Sequence, residues 1–166
     1  MSDITHGYLI KPTVMHTVKV YKCHPDAVIP TIKEQESAGY DLACVEPFEL
    51  LPGDRAVVRT GLVIQPPPGY HTEILLRSSL AYKYNIMLIN SVGLIDRSYA
   101  GEGDELKVML YRAPTTSLDV DPQAAVFKPG DRIAQLVFTT TNLLNIEEVG
   151  QPPATEDRGG LGSTGK

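Results

Sequence analysis

The sequence is poor in the features that mark several large classes of protein. It has only two cysteines in 166 residues, Cys23 and Cys44. That is too few for a disulfide framework, and they lack the CxxC or Cys/His spacing of a zinc site. The four histidines, His6, His16, His24 and His71, form no HxH or HExxH pair. There is no block of Lys and Arg, and the net charge is -5. This argues against a broad basic face for duplex nucleic acid, although a few local cations would suffice for a small anion. Residues 1–17 lack the apolar stretch of a secretion signal, and no apolar run approaches the ~18 residues of a membrane span. Together these absences predict a soluble protein of a reducing compartment, with neither nucleic acid nor membrane as partner.

What the chain does contain is punctuation. Fourteen glycines and 13 prolines accompany an ordinary 42% of hydrophobic residues, a composition suited to many short strands joined by turns. Alternating or β-branched stretches predict strands at Val18–Cys23, Ser37–Cys44, Arg55–Ile64, Tyr70–Leu76, Ile86–Ile95 (interrupted at Asn90-Ser91 and Gly93), Leu106–Tyr111 and Ile133–Phe138. Ser79–Tyr84 suits one short helix. Pro52-Gly53-Asp54 and Pro129-Gly130-Asp131 read as turns, each followed by Arg and a strand. Residues 24–36 and 113–128 read as loops. The expectation is one all-β domain of jelly-roll type over residues 18–150, preceded by an extension (residues 1–17). It is followed by a flexible tail, residues 151–166, with Pro152, Pro153, Gly159, Gly160, Gly162 and Gly165. Strands this short leave edges that oligomerisation would protect.

Five segments carry residue types suited to chemistry. Ser37–Leu42 places Asp41 after a glycine. Arg77-Ser78-Ser79-Leu80-Ala81 offers a guanidinium and two hydroxyls at a strand end. Asn90–Tyr99 sets Asp96 between an apolar strand and Tyr99. Gly130–Leu136 puts Gln135 inside a strand, and Arg158–Gly165 closes the chain. Each also has a plain structural reading. Asp41 and Asp96 would serve as turn acceptors, Ser78 or Ser79 as a helix cap, and Gln135 as a hydrogen-bonded core residue.

Taken in order, the five segments resemble the five motifs of the trimeric dUTPases. The matching stretches are Ala38–Asp41, Arg77–Ala81, Asn90 with Val92–Gly101, Gly130–Leu136 and Gly159–Gly165. The resemblance implies a dUTPase-like β-clip subunit in a homotrimer that splits dUTP into dUMP and pyrophosphate. Three sites would be shared between subunits in the cytoplasm of a bacterial or phage-infected cell. It also implies residue roles. Asp96 is the acid that activates the attacking water. Arg77, Ser78, Ser79 and Gln135 hold phosphate. Asn90, Gly93 and Tyr99 belong to a uracil- and sugar-reading hairpin running from near Gly93 to near Tyr99. Arg158, Leu161, Gly162, Ser163 and Thr164 form the tail that closes over triphosphate. The implied cofactor is Mg²⁺, with Asp41 contacting it through water.

The chain departs from the family pattern in three places. Gly103-Asp104-Glu105 is inserted after the third motif, Leu161 stands where a phenylalanine is usual, and Arg158 directly abuts Gly159. One alternative is a dCTP deaminase or bifunctional deaminase on the same fold, but the position of its catalytic glutamate falls on Met109, which cannot carry a proton. Another is a non-catalytic regulatory jelly-roll, which would need none of Asp41, Arg77, Asp96, Tyr99 and Gln135. A regulatory protein partner leaves no readable mark in the sequence. If residues 155–166 are a lid, their deletion should leave the folded protein intact and reduce kcat for dUTP far more than affinity for dUMP. Near-normal turnover, or loss of the thermal transition, would show that they are not.

Overall fold

A computed structural model describes residues 16–32, 37–114 and 123–154. Within them the chain forms eleven strands and one helix, and every strand pair is antiparallel. A four-stranded sheet is ordered β2 (Tyr40–Ala43), β11 (Arg132–Thr140), β6 (Tyr70–Leu76), β8 (Gly93–Ile95). A three-stranded sheet is ordered β4 (Arg55–Arg59), β9 (Lys107–Arg112), β7 (Ile86–Leu88). Two strand pairs complete the jelly-roll: β1 (Lys19–Lys22) with β5 (Leu62–Gln65), and β3 (Phe48–Leu50) with β10 (Ala125–Phe127). The helix α1 is Ser78–Tyr84. Leu42, Ile74 and Leu136 of the larger sheet share one core with Val108, Leu110 and Ile86 of the smaller.

β9 shows the period-2 logic plainly: Val108, Leu110 and Arg112 point inward and are buried, while Lys107 and Met109 are exposed. Three expected elements differ from what is observed. The stretch 55–64 is two strands, because the chain turns at Thr60-Gly61 to leave the β4 sheet for β1. Gly61 has φ +67, and an added Cβ would lie 2.6 Å from His24 Cβ. The stretch 86–95 likewise divides at Asn90-Ser91, with Ser91 at φ 61, so that β7 and β8 join different sheets. The loop expected at 113–128 contains β10, a three-residue strand too short for periodicity to reveal. The ring of Phe127 on β10 stacks on Phe48, with centroids 4.5 Å apart.

Both Pro-Gly-Asp-Arg segments form the same turn. Asp54 N–H donates to Leu51 O at 3.0 Å, and Leu51 N–H returns a bond to Asp54 Oδ2 at 2.9 Å. Asp131 and Lys128 repeat this at 3.0 and 2.7 Å. The glycines sit at φ +95 and +89, as the third residue of such a turn requires.

The inserted residues are structural ties. Asp104 Oδ2 accepts from Gly101 N–H at 2.7 Å. The Glu105 carboxylate is buried, takes Arg59 Nε at 3.0 Å, and accepts from Gly61 N–H at 2.8 Å. This pairing with Glu105 holds the Arg59 guanidinium above its usual pKa. Leu106 adds bonds to Leu62 O and from Thr60 Oγ1. The insertion thus clamps the 60–61 corner. Gly61→Ala should therefore cost about 2–4 kcal/mol, from a left-handed φ combined with contacts at 2.6 Å to His24 and 2.9 Å to Ala27. Gly53→Ala, with φ +95 and nothing within 4 Å, should cost about 1 kcal/mol. Denaturant midpoints of the two variants check the order, and equal losses would refute the crowding argument.

Candidate active site

The four-stranded sheet builds the first part of the site through a fault in its own regularity. Asp41 on β2 sits opposite Gln135 on β11. Arg132 is three residues before Gln135, and in an unbroken strand the two would face opposite sides. The register shifts between Arg132 and Ala134, and Ile133 and Ala134 are consecutively buried. This bulge resets the alternation, so Arg132 and Gln135 both come out on the Asp41 side. Gly39 is needed just before β2, where an added Cβ would lie 3.2 Å from Leu136 O.

Around Asp41 the charges are organised. Its Oδ1 lies 3.1 Å from Arg77 Nε, and its Oδ2 accepts from Arg132 Nη1 at 2.7 Å. Arg77 Nη1 also donates to Arg132 O at 3.3 Å. One half-buried carboxylate therefore holds two guanidiniums side by side, leaving the cluster with one excess positive charge. Arg77 and Ser79, with Lys83 and Tyr84 from α1, line one wall of a cleft of about 250 Å³. Val126, Phe127, Asp131 and Arg132 line the other. The helix N-cap is Arg77, with no side-chain cap bond. The capping reading of Ser78 and Ser79 therefore fails, and both hydroxyls remain available to a ligand. The Gln135 amide is half-buried and makes no hydrogen bond among the described residues. Arg132 and Lys83 were not singled out from sequence. Arg132 lay inside a recognised segment, but only the bulge shows which way it faces.

The third segment lies elsewhere. β8 runs antiparallel to β6, with Ile95 opposite Thr72 and Gly93 opposite Ile74. Asp96 thus falls level with His71, six positions along β6 from Arg77, or about 20 Å at strand rise. Asp96 and Asn90 are exposed. Gly93 is buried against Ile74, whose Cβ an added side chain would meet at 2.9 Å. Tyr99 is 41% exposed and donates to Glu105 O at 3.4 Å. The expected two-stranded hairpin from Gly93 to Tyr99 is not formed. β8 pairs with β6 instead, and 96–104 makes successive turns, with Tyr99 N–H donating to Asp96 O and Asp104 N–H to Gly101 O. Arg158, Leu161, Gly162, Ser163 and Thr164 lie outside the described residues. Cys44 is a core thiol that donates to Lys128 O at 3.0 Å, and burial pushes its pKa up. Among the described residues no helix is long and apolar enough to cross a membrane.

The dUTPase family model matches residues 25–165. This chain belongs to the dUTPase family. The deoxyuridine 5'-triphosphate nucleotidohydrolase of Wolinella succinogenes is 39% identical over 150 residues, covering 90% of this chain and 94% of its own. That of Nautilia profundicola is 36% identical over 150 residues, 90% and 99% of the two chains. Among solved structures, the Staphylococcus bacteriophage 80alpha dUTPase with dUPNHPP superposes with a TM-score of 0.73 at 24% identity, covering 90% of this chain and 99% of that one. A phage phi11 dUTPase of S. aureus, a mutant of which coordinates a structural Mg(II) ion, has a TM-score of 0.69 at 22% identity, covering 81% and 97%. On this fold Met109 of β9 faces outward opposite Val57. A thioether there gives the deaminase alternative no proton carrier.

Proposed function

We propose that this protein hydrolyses dUTP to dUMP and pyrophosphate, acting in the cytoplasm as a homotrimer whose sites are shared between subunits. The observation that carries the reading is the separation just described. One chain gathers Arg77, Ser79, Arg132 and Gln135 about Asp41, yet holds Asp96, the acid that the third motif offers as base, about 20 Å away along β6. A neighbouring copy supplies the missing half. Family membership and the names of the relatives support dUTP as substrate. Residues 18–150 would be the folded unit, with 151–166 closing over the nucleotide.

In this assembly Arg77 presents a planar fork to the phosphates, and the Ser78 and Ser79 hydroxyls and the Gln135 amide donate to their remaining oxygens. Asp96 of the partner subunit orients a water in line with the α-phosphorus and takes its proton as pyrophosphate leaves. Such a base contributes about 10²–10⁴-fold, and positioning and charge neutralisation supply the larger share of the rate. The turn residues after Gly93, with Asn90, would read the uracil edge, and Tyr99 would pack under the deoxyribose and exclude a 2′-hydroxyl. Tail residues Arg158, Leu161, Gly162, Ser163 and Thr164 would cover base and phosphates.

The donor set suits Mg²⁺ only as an ion brought in on the substrate. Asp41 is the one carboxylate paired into the arginine cluster, both its oxygens already face guanidinium groups, and the described residues hold no group of three His, Cys, Asp or Glu that could ligate a metal. Asp41 would reach such an ion through a water, as Mg²⁺ bound mainly by phosphate permits. When bound, the ion neutralises triphosphate charge.

The surface supports association. Val57, Met87, Ile89 and Met109 are exposed together on the outer face of the β4-β9-β7 sheet, with Val57 opposite Met109. Leu143, Leu144 and Ile146 are 83–94% exposed. An isolated chain seldom leaves such a patch in water.

Asp96→Asn should lower kcat for dUTP by at least about 10²-fold while KM changes little. Turnover at the wild-type rate would remove Asp96 from the base role. The double variant Val57→Glu, Met109→Glu should elute with the mass of one chain by light scattering and lose activity. An active single chain would refute the shared site.

A further inference from the structure

β9 places its side chains alternately in and out, and the inward positions are Val108, Leu110 and Arg112. The third breaks the pattern, being a guanidinium at 0% exposure where an aliphatic side chain would serve the core as well. Burying a charge is expensive unless its donors are satisfied, and a well-packed apolar replacement is often no less stable. Core packing therefore leaves the arginine unexplained.

Its hydrogen bonds suggest the reason. Arg112 Nε donates to Tyr84 O at 3.0 Å, and Nη1 donates to Leu50 O at 2.8 Å and Gln123 O at 2.5 Å. Tyr84 is the last residue of α1, the helix that begins at Ser78 and forms one wall of the cleft. Leu50 ends β3, opposite Ala125 of β10, and Gln123 leads into β10, which with the following turn forms the other wall. One rigid fork thus ties the two walls at their base, where the Tyr84 and Phe127 rings also meet edge-on at 5.8 Å. A second tie holds α1 from the same side. Asn85, in the left-handed region at φ 54, donates through Nδ2 to Ala113 O at 3.1 Å, and Ala113 N–H donates to Asn85 O at 3.0 Å.

We propose that Arg112 is a positioning residue that sets the width of the phosphate cleft, fixing Arg77 and Ser79 relative to Arg132. This rests on reading that cleft as the phosphate end of the dUTP site. Arg112 touches no substrate; it acts through α1 and β10. A lysine keeps the charge, but its three donors share one nitrogen and cannot reproduce the separated Nε and Nη1 donors that reach Tyr84, Leu50 and Gln123.

The test uses the full chain. Arg112→Lys, Asn85→Gly and Arg77→Gln are compared with wild type for kcat and KM on dUTP, for inhibition by inorganic pyrophosphate and by dUMP, and for thermal melting. Arg112→Lys should weaken pyrophosphate inhibition and raise KM by about tenfold, with dUMP inhibition and kcat within about threefold. Unchanged pyrophosphate inhibition, or an equal loss for pyrophosphate and dUMP with a lowered melt, would show that Arg112 is core support only. Should Arg112→Lys fail to fold, Asn85→Gly decides, because glycine tolerates this φ and keeps the backbone bond from Ala113, so that only the Nδ2 bond to Ala113 O is lost. Selective weakening of pyrophosphate supports the proposal, and wild-type inhibition overturns it. Arg77→Gln separates the two layers. If it keeps wild-type pyrophosphate inhibition, the phosphate assignment fails and the Arg112 role with it. If it loses inhibition while the other two variants keep theirs, only the Arg112 role fails.

Discussion

Everything about the candidate site depends on one carboxylate holding two guanidiniums. Two arginines brought together in a half-buried cleft would repel each other and lose hydration. Asp41 offsets this by pairing with Arg77 through one oxygen and accepting from Arg132 with the other. The arrangement leaves a preorganised excess of positive charge, and a dense polyanion is the ligand that charge would best suit. Asp41 then has two tasks. It assembles the cations in the free protein, and under the proposed function it faces a substrate-borne ion through water. Both tasks call for an ionised acid at this point in the sheet, so the turn-stabilising reading of Asp41 is the weaker one.

The fold was legible wherever periodicity had length to work with. Tyr70–Leu76 reads as a strand in sequence and is β6 without adjustment, because a seven-residue run with Tyr, Thr and Ile follows directly on the Pro66–Gly69 break. Arg55–Ile64 looks equally continuous, but the corner at Thr60-Gly61 is made by contacts with His24, Ala27 and Glu105, residues distant in sequence. β10 escaped notice because three residues give no period, and its place is set by Phe48 and Leu50 across the pair.

The candidate site was legible as a set of residues but not as a geometry. Motif order pointed to Asp41, Arg77, Asp96 and Gln135, yet strict alternation would have turned Arg132 away from all of them. Only the two-residue bulge at Ile133–Ala134 reverses this, and a bulge is decided by how the partner strand is paired. Arg112 was hidden for a similar reason. A basic residue at the end of a strand ordinarily reads as a solvated edge, and its burial depends on carbonyls contributed by β3, α1 and the segment before β10. The acids of the insertion run the other way. Nothing in the sequence says what Asp104 and Glu105 do beside the third motif, and the structure commits Asp104 to a turn and Glu105 to the 60–61 corner.

The separation of Asp96 from the arginine cluster has a consequence for regulation by assembly. A site complete within one chain would work at any dilution. A site split between the Arg77 end of β6 on one chain and the His71 end on another exists only while the chains are associated, so folding, association and activity share one equilibrium. Under the proposed assembly the exposed apolar face at Val57, Met87, Ile89 and Met109 would make that association favourable. The cost of leaving it in water would then be the force that brings the proposed base and phosphate-binding groups together. In this reading the hydrophobic surface is part of the catalytic apparatus, because without it the water-activating acid and the cations would never meet the same nucleotide.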